Sequence, residues 1–269
     1  MHQGARVAVV MPAFEEASHI TRALSGMPAL VDRIIVVDDA STDGTGARAA
    51  AVGDARVEVV RHRRNRGVGA AIATGYRAAF AQGPRQVDVA AVMAADAQMD
   101  PVDLPALLDP VVRGEAEYAK GNRLAWPDAR RQMPLSRWIG NHALSWLTRR
   151  ATGLSVHDSQ CGYTALSRHA AARIDLDRLW PRYGYPNDLL GALHASGARV
   201  RDVRVRPVYA GEDSGVGLHH ALFVVPAVIG RVAVRSALRS RDGAAGGYAA
   251  LDEAYPEATG GPTRCASAS

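Results

Sequence analysis

The amino-acid sequence predicts an α/β fold with a mainly parallel central sheet flanked by helices. Three observations carry that expectation. Short β-branched runs alternate with Ala-rich helical patterns through the first 120 residues, the signature of repeated β-α-β units. Acidic residues recur just past the ends of successive β-branched runs. The 269 residues, 48% hydrophobic, 22% charged and 6% aromatic, can bury a real core and exclude collagen-like, wholly disordered and disulfide-framework classes.

In chain order, residues 6–11 and 33–38 read as strands, the second through Ile34, Ile35, Val36 and Val37, and residues 15–25 and 42–52 as the helices that follow them. Residues 57–61 make a third strand and 67–82 a third helix. A fourth strand at 87–93 leads to a helix over 101–112, with Asp100 as N-cap, Pro101 as first helical residue and Asp103 in the first turn. Residues 117–121 read as a fifth strand. Past Gly121 the pattern becomes less regular: a long helix at about 134–151, an irregular stretch leading to 163–167, a helix near 187–195 and a strand near 199–205. The Ala-, Gly- and Ser-rich residues 243–269 read as a disordered tail.

Formal charge is +5 with an isoelectric point near 9.5, and Lys120 is the one lysine among 32 basic residues. Arginine presents a planar fork suited to phosphate, so a phosphate-bearing ligand is expected. Two cysteines 104 positions apart, Cys161 and Cys265, give no disulfide framework and point to a reducing compartment. The apolar stretch at 7–11 is too short for a signal peptide, and residues 215–230, uncharged but only sixteen long, fall short of the roughly 20 needed to cross a bilayer. A cytoplasmic protein, able to rest peripherally on the inner face of a membrane, is the expectation.

Familiar phosphate motifs fail. Gly67-Val68-Gly69-Ala70-Ala71-Ile72 places Ile where a dinucleotide fingerprint needs its third Gly, and no P-loop signature occurs. The calcium-loop-like start at Asp39 has Ala50 in place of the bidentate twelfth-position Glu. What remains is acidic strand ends: Glu15 and Glu16 after the first strand, Asp38 and Asp39 after the second, Asp96 after the fourth. In an open parallel sheet these converge on the crevice beyond the carboxyl ends, where they could accept from a nucleobase and ribose or hold a divalent cation against a diphosphate.

Four segments, in order, resemble the motifs of family 2 glycosyltransferases, and more closely the dolichyl- and polyprenyl-phosphate sugar transferases. They are Pro12-Ala13-Phe14-Glu15-Glu16, Val36–Thr45 with its Asp38-Asp39 pair, Asn65–Ala71, and Met93–Pro101 with Asp96 and Gln98. The resemblance covers about residues 5–210. It implies a GT-A fold with a nucleotide-sugar half at about 1–121 and an acceptor half at about 122–210, a GDP- or UDP-hexose donor, Mg2+ or Mn2+, and inversion at the anomeric carbon.

By the same resemblance Pro12, Phe14, Glu16, Asp38, Asp39 and Asp96 line the nucleotide pocket. The metal motif D-x-D stands here as Ala94-Ala95-Asp96, so its first carboxylate is absent, and Asp96 and Gln98 keep the ligating positions. Arg123 faces the phosphates, with Asp96 and Asp188 as its partners in catalysis; Arg137, Asn141 and Asp158 lie on the acceptor side. Thr164 stands where many relatives carry Arg, and the basic closing loop of relatives is replaced by Tyr209–Gly215, leaving Arg204, Arg206 or His219 to close on the donor. Cys161 reads as small-residue packing.

The acceptor expected is a polyprenyl phosphate, already ionised and needing no base; a soluble hydroxyl acceptor would need one, and Asp188 is placed either for that or as a helix cap. A non-catalytic nucleotide-sugar binder is a further alternative. Residues 211–242 read as an amphipathic helical segment, with Arg231, Arg235 and Arg239 on one stripe, that either contacts an anionic membrane through 217–241 or packs on the protein's own sheet or a homodimer partner. The Arg61–Arg66 cluster lacks interleaved aromatics and is not read as a nucleic-acid site.

Overall fold

A computed structural model describes residues 1–208 and 224–243, with side chains to residue 234. The strands are β1 (Val7–Ala13), β2 (Arg33–Asp38), β3 (Val57–Arg61), β4 (Val89–Val92), β5 (Tyr118–Asn122), β6 (Thr164–Ser167) and β7 (Val200–Arg204). The helices are α1 (Ile20–Ser25), α2 (Thr45–Ala50), α3 (Val68–Phe80), α4 (Leu104–Val112), α5 (Ala129–Gln132), α6 (Leu135–Thr152), α7 (Arg168–Ala172), α8 (Tyr185–Ala195) and α9 (Val225–Gly243). Among the described residues the strands form one sheet in the order β3-β2-β1-β4-β6-β5-β7.

Strands β1 to β4 pair parallel, as do β5 and β7; β6 runs antiparallel between β4 and β5. The mostly parallel sheet flanked by helices agrees with the sequence reading. Both faces are covered: Val7, Val9, Met11, Ile34 and Val36 meet α1 and α4, while Ala8, Val10, Ile35 and Val37 meet α3 and α8. All six residues of β2 are buried, so its near-continuous apolar run, not an alternating one, is what a two-sided strand requires.

Two predicted helices begin later than the sequence suggests. α1 starts at Ile20 instead of 15 because the N–H groups of Glu15, Glu16 and Ala17 donate to Ser41 Oγ, Thr45 Oγ1 and Asp43 Oδ2, at 3.0, 2.8 and 2.9 Å. α2 starts at Thr45 instead of 42 because Gly44 is left-handed at φ 90° and Thr42 N–H donates to Glu15 Oε1. The loops after β1 and β2 are thus stitched to each other by side chains that compete with helix formation.

α3 packs across β2, β1 and β4 and meets the segment that leads into α8. A Cβ at Gly69 would lie 2.1 Å from the Trp180 carbonyl oxygen and 2.8 Å from Tyr185 Cβ, and Ala70 N–H donates to Pro181 O at 3.0 Å. Only glycine permits that approach, which lays the 180–185 segment against the start of α3. α9 packs on α6 and α8, with Val225 and Ile229 against Leu144. Residues 209–223 and 244–269, which include the Tyr209–Gly215 segment, His219, Cys265 and the predicted tail, lie outside the described residues.

Candidate active site

The loops after β1, β2 and β4 all open on the same sheet edge, and each holds a non-glycine residue at positive φ: Glu15 at 59°, Ala40 at 67° and Ala97 at 58°. Side chains resist this conformation by roughly 1–2 kcal/mol each, so the strain is gathered where the strand ends converge. Phe14, 48% exposed, and half-buried Pro12 and Glu16 stand at the end of β1. Glu16 bonds His19 Nδ1 at 3.0 Å, whereas Glu15 is occupied by Thr42.

Asp38 and Asp39 are 1% and 3% exposed. Asp38 Oδ1 accepts from Ser41 N–H at 2.8 Å and its Oδ2 faces Arg61 Nε at 3.4 Å. Asp39 accepts three donors: His62 Nδ1 at 2.6 Å, Arg66 N–H at 2.8 Å and Gly67 N–H at 2.7 Å. His62 Nε2 in turn meets Thr74 Oγ1 at 3.0 Å. Both carboxylates therefore hold the loops that follow β2 and β3, Asp39 by fixing the turn that enters α3.

After β4, Gln98 N–H donates to Asp96 Oδ1 at 3.0 Å, which sets the two side chains on one turn. Ala94 N–H points to Met99 Sδ at 3.3 Å. Asp100 caps the short 3-10 turn at Pro101–Asp103 through Val102 N–H at 2.9 Å, as its sequence position indicated, and also pairs with Arg206. Among the described residues no group of three or more His, Cys, Asp or Glu side chains could hold a metal alone. One carboxylate and one amide oxygen suit a hard cation such as Mg2+ or Mn2+ whose remaining positions are filled by a diphosphate.

Tyr183, which sequence reasoning did not single out, belongs to this group. Burial, then the nearby carboxylates of Asp96 and Glu16, push its phenol above the usual value. Its signal in the sequence was faint: one of two Tyr flanking Gly184, just before α8.

On the other side of the edge, Arg123 binds Asp158 bidentately, Nε to Oδ2 at 2.8 Å and Nη2 to Oδ1 at 3.1 Å, and adds its own N–H at 3.1 Å. Burial alone would raise the Asp158 carboxyl; Arg123 and Lys120 outweigh it and hold the group below its ordinary value. Arg137 is half-buried on α6, one turn before buried Asn141, whose amide reaches Met133 Sδ at 3.7 Å. Cys161 is buried and its thiol is pushed up, chiefly by burial, which suits packing and not nucleophilic attack.

Asp188 is 1% exposed in the first turn of α8. The helix cap is Gly184, not Asp188, and the carboxylate instead accepts Trp180 N–H at 2.9 Å and faces Arg231 Nε at 3.6 Å. Arg231 also donates to Arg178 O and lies over the Trp180 ring, so α9 closes on the candidate base through a residue the sequence had suggested only as part of a basic stripe.

Residues 8–174 match the family described as Glycosyl transferase family 2. The polyprenol monophosphomannose synthase of Mycolicibacterium smegmatis is 30% identical over 237 residues, 82% of this chain and 85% of that protein. The UDP-N-acetylglucosamine–dolichyl-phosphate N-acetylglucosaminyltransferase of Methanococcus voltae is 27% identical over 216 residues, covering 75% and 85%. A crystal structure of glucosyl-3-phosphoglycerate synthase from Mycobacterium tuberculosis with Mn2+, UDP-glucose and phosphoglyceric acid superimposes with a TM-score of 0.63 over 86% of this chain and 80% of that one, at 24% identity. With the motifs in order and the strand ends gathered on one edge, the chain belongs to glycosyl transferase family 2 and is a glycosyltransferase.

Proposed function

We propose that the protein is an inverting, divalent-metal-dependent transferase that moves a hexose from a nucleotide sugar, GDP- or UDP-linked, to a polyprenyl phosphate. The observation that carries this reading is the division of the sheet edge. Carboxylates gather after β1, β2 and β4, with Asp96 and Gln98 on one turn, while Arg123 stands across from them at the end of β5. The names of the relatives, a polyprenol-phosphate mannose synthase and a dolichyl-phosphate N-acetylglucosaminyltransferase, support a lipid-phosphate acceptor.

The transfer is a single in-line displacement, with the acceptor oxygen attacking the anomeric carbon as nucleoside diphosphate departs. Pro12, Phe14 and Glu16 frame the nucleoside, on the floor held by Asp38 and Asp39. Asp96 and Gln98 would hold Mg2+ or Mn2+, which when bound neutralises charge on the leaving diphosphate. Arg123 orients phosphate oxygens, and Arg137 and Asn141 receive the acceptor on the α6 side. A phosphate monoester needs no base. Asp188 fits that chemistry, since Trp180 and Arg231 already engage its carboxylate.

We infer contact with an anionic membrane surface through α6 as well as α9. Leu135, Ile139 and Trp146 stand exposed on α6 at helical spacing, and α6 and α9 together carry seven arginines against Asp242. No helix among the described residues is long and apolar enough to cross a membrane. A small phosphate-bearing hydroxyl acceptor is the second reading, favoured by the phosphoglyceric acid in the name of the fold neighbour.

Purified protein incubated with UDP-, GDP- and dTDP-sugars, Mn2+ and either undecaprenyl phosphate or phosphoglyceric acid decides between them. Transfer to the lipid phosphate that survives Asp188→Asn supports the proposal. Transfer to phosphoglycerate that collapses in Asp188→Asn supports the second reading. Silence and no donor binding by calorimetry refute both.

A further inference from the structure

The single lysine of this Arg-rich chain lies at 0% exposure on β5, three residues before Arg123. Its ammonium donates to the Cys161 carbonyl, tying the turn that carries Asp158 to the strand that carries Arg123. The titratable groups near it are Asp158 and the neutral Cys161 thiol from the loop before β6, Arg123 just past the end of β5, and Asp202, which stands opposite Lys120 in the register of β5 with β7. Asp202 is itself engaged by His157 and by Asn122 Nδ2 at 3.0 Å, with Oδ1 buried and unbonded.

Two cations thus face two carboxylates beneath the acceptor side. Arg123 alone would be matched against Asp158, its bidentate partner, and its positive field toward the cleft would be cancelled from below. An arginine could not replace the lysine here, because its five donors would need partners where the structure shows one carbonyl accepting. We propose that Lys120 is a positioning residue: its buried ammonium supplies counter-charge to Asp158 and Asp202, so that Arg123 keeps positive charge for the phosphate of the substrate. The inference rests on the reading that Arg123 faces a phosphate.

Burial lowers the ammonium to about 8, partly offset by Cys161 and Asp158. It is therefore charged at neutral pH and loses its proton within an accessible range. The charge that Arg123 presents then becomes pH-dependent through a residue that no substrate touches.

Because the chain has one lysine, protein labelled with [ε-13C]lysine gives one side-chain signal, whose titration can be followed in the wild type. The expected midpoint is near pH 8 in the free protein, moving up by about half a pH unit when farnesyl phosphate saturates the site and not with farnesol. By reciprocity farnesyl phosphate binds about threefold more weakly at pH 9.5 than at pH 7, a loss absent in Lys120→Met. A midpoint near 10.5, or one unmoved by bound farnesyl phosphate, overturns the positioning role. If calorimetry finds no farnesyl phosphate binding at any pH, the phosphate-acceptor reading fails instead. The lysine is then tested by Asp158→Asn or, on the other arm, Asp202→Asn. A lower midpoint in either supports the shared counter-charge, and an unchanged midpoint in both overturns it.

Discussion

Replacing Asp39 by Ala separates a pocket-shaping carboxylate from a nucleotide-reading one. The side chain receives His62 Nδ1, Arg66 N–H and Gly67 N–H, all at 2.8 Å or less, in a position 3% exposed. Orphaning a buried donor costs about 1–3 kcal/mol. The Gly67 amide and the His62 ring are buried and count near 2 each, whereas Arg66 is exposed and counts less. The sum is about 4–5 kcal/mol, which for a chain of this size lowers Tm by roughly 8–20 °C. Differential scanning calorimetry of Asp39→Ala and His62→Ala measures it, the histidine variant losing only one of the three bonds. A drop below about 3 °C in Asp39→Ala refutes the accounting and returns the carboxylate to direct ligand contact.

Four further outcomes are expected. Gly69→Ala drives a methyl to 2.1 Å from a backbone carbonyl that cannot swing aside, so chemical denaturation should show about 3 kcal/mol lost. Ala40→Gly relieves a left-handed φ of 67° and should gain about 1 kcal/mol in the same assay. Asp96→Asn and Gln98→Ala should leave Tm nearly unchanged yet weaken Mn2+ binding in the presence of UDP at least tenfold by calorimetry. Lys120→Met removes an ammonium whose value falls from 10.5 to about 8 on folding, an ionisation cost of about 3 kcal/mol, less about 1 for the bond to Cys161. The lowered value means the folded state sheds its proton first, so wild-type stability rises with pH between about 8 and 10.5. The variant should accordingly be about 2 kcal/mol more stable at pH 7 and lose that advantage by pH 10.

The donor side was legible in the sequence because its signals are local. A β-branched run followed by a turn and an Ala-rich helix specifies each β-α unit, and β2 and β3 appear at the residues expected. The late starts of α1 and α2 were not legible, since the bonds that prevent helix at Glu15 and Thr42 join positions 26 to 29 residues apart. The same limit hid the site's second layer. Asp158 was visible as part of a motif, but that it pairs with Arg123 above Lys120 depends on β6 inserting antiparallel between β4 and β5. Likewise the carboxylate of Asp188 and the guanidinium of Arg231 lie 43 positions apart and meet only because α9 folds back on α8.

The missing carboxylate at Ala94 acquires a physical consequence from this arrangement. In the proposed site a diphosphate would meet Glu16 and Asp96, not a pair of acids on one turn as well, so repulsion in the absence of metal would be weaker than in a two-carboxylate site. The same deficit weakens the hold on a free cation, because one carboxylate and one amide oxygen leave most of its coordination to water. In the proposed site metal and nucleotide would each complete the other's site, and neither would bind tightly alone. Positive charge on the far side of the cleft therefore matters more than where a metal is held by the protein itself. Under the proposed roles Arg123 would supply it only so long as Asp158 is shared with Lys120, which would make the buried lysine and the absent aspartate two parts of one electrostatic balance.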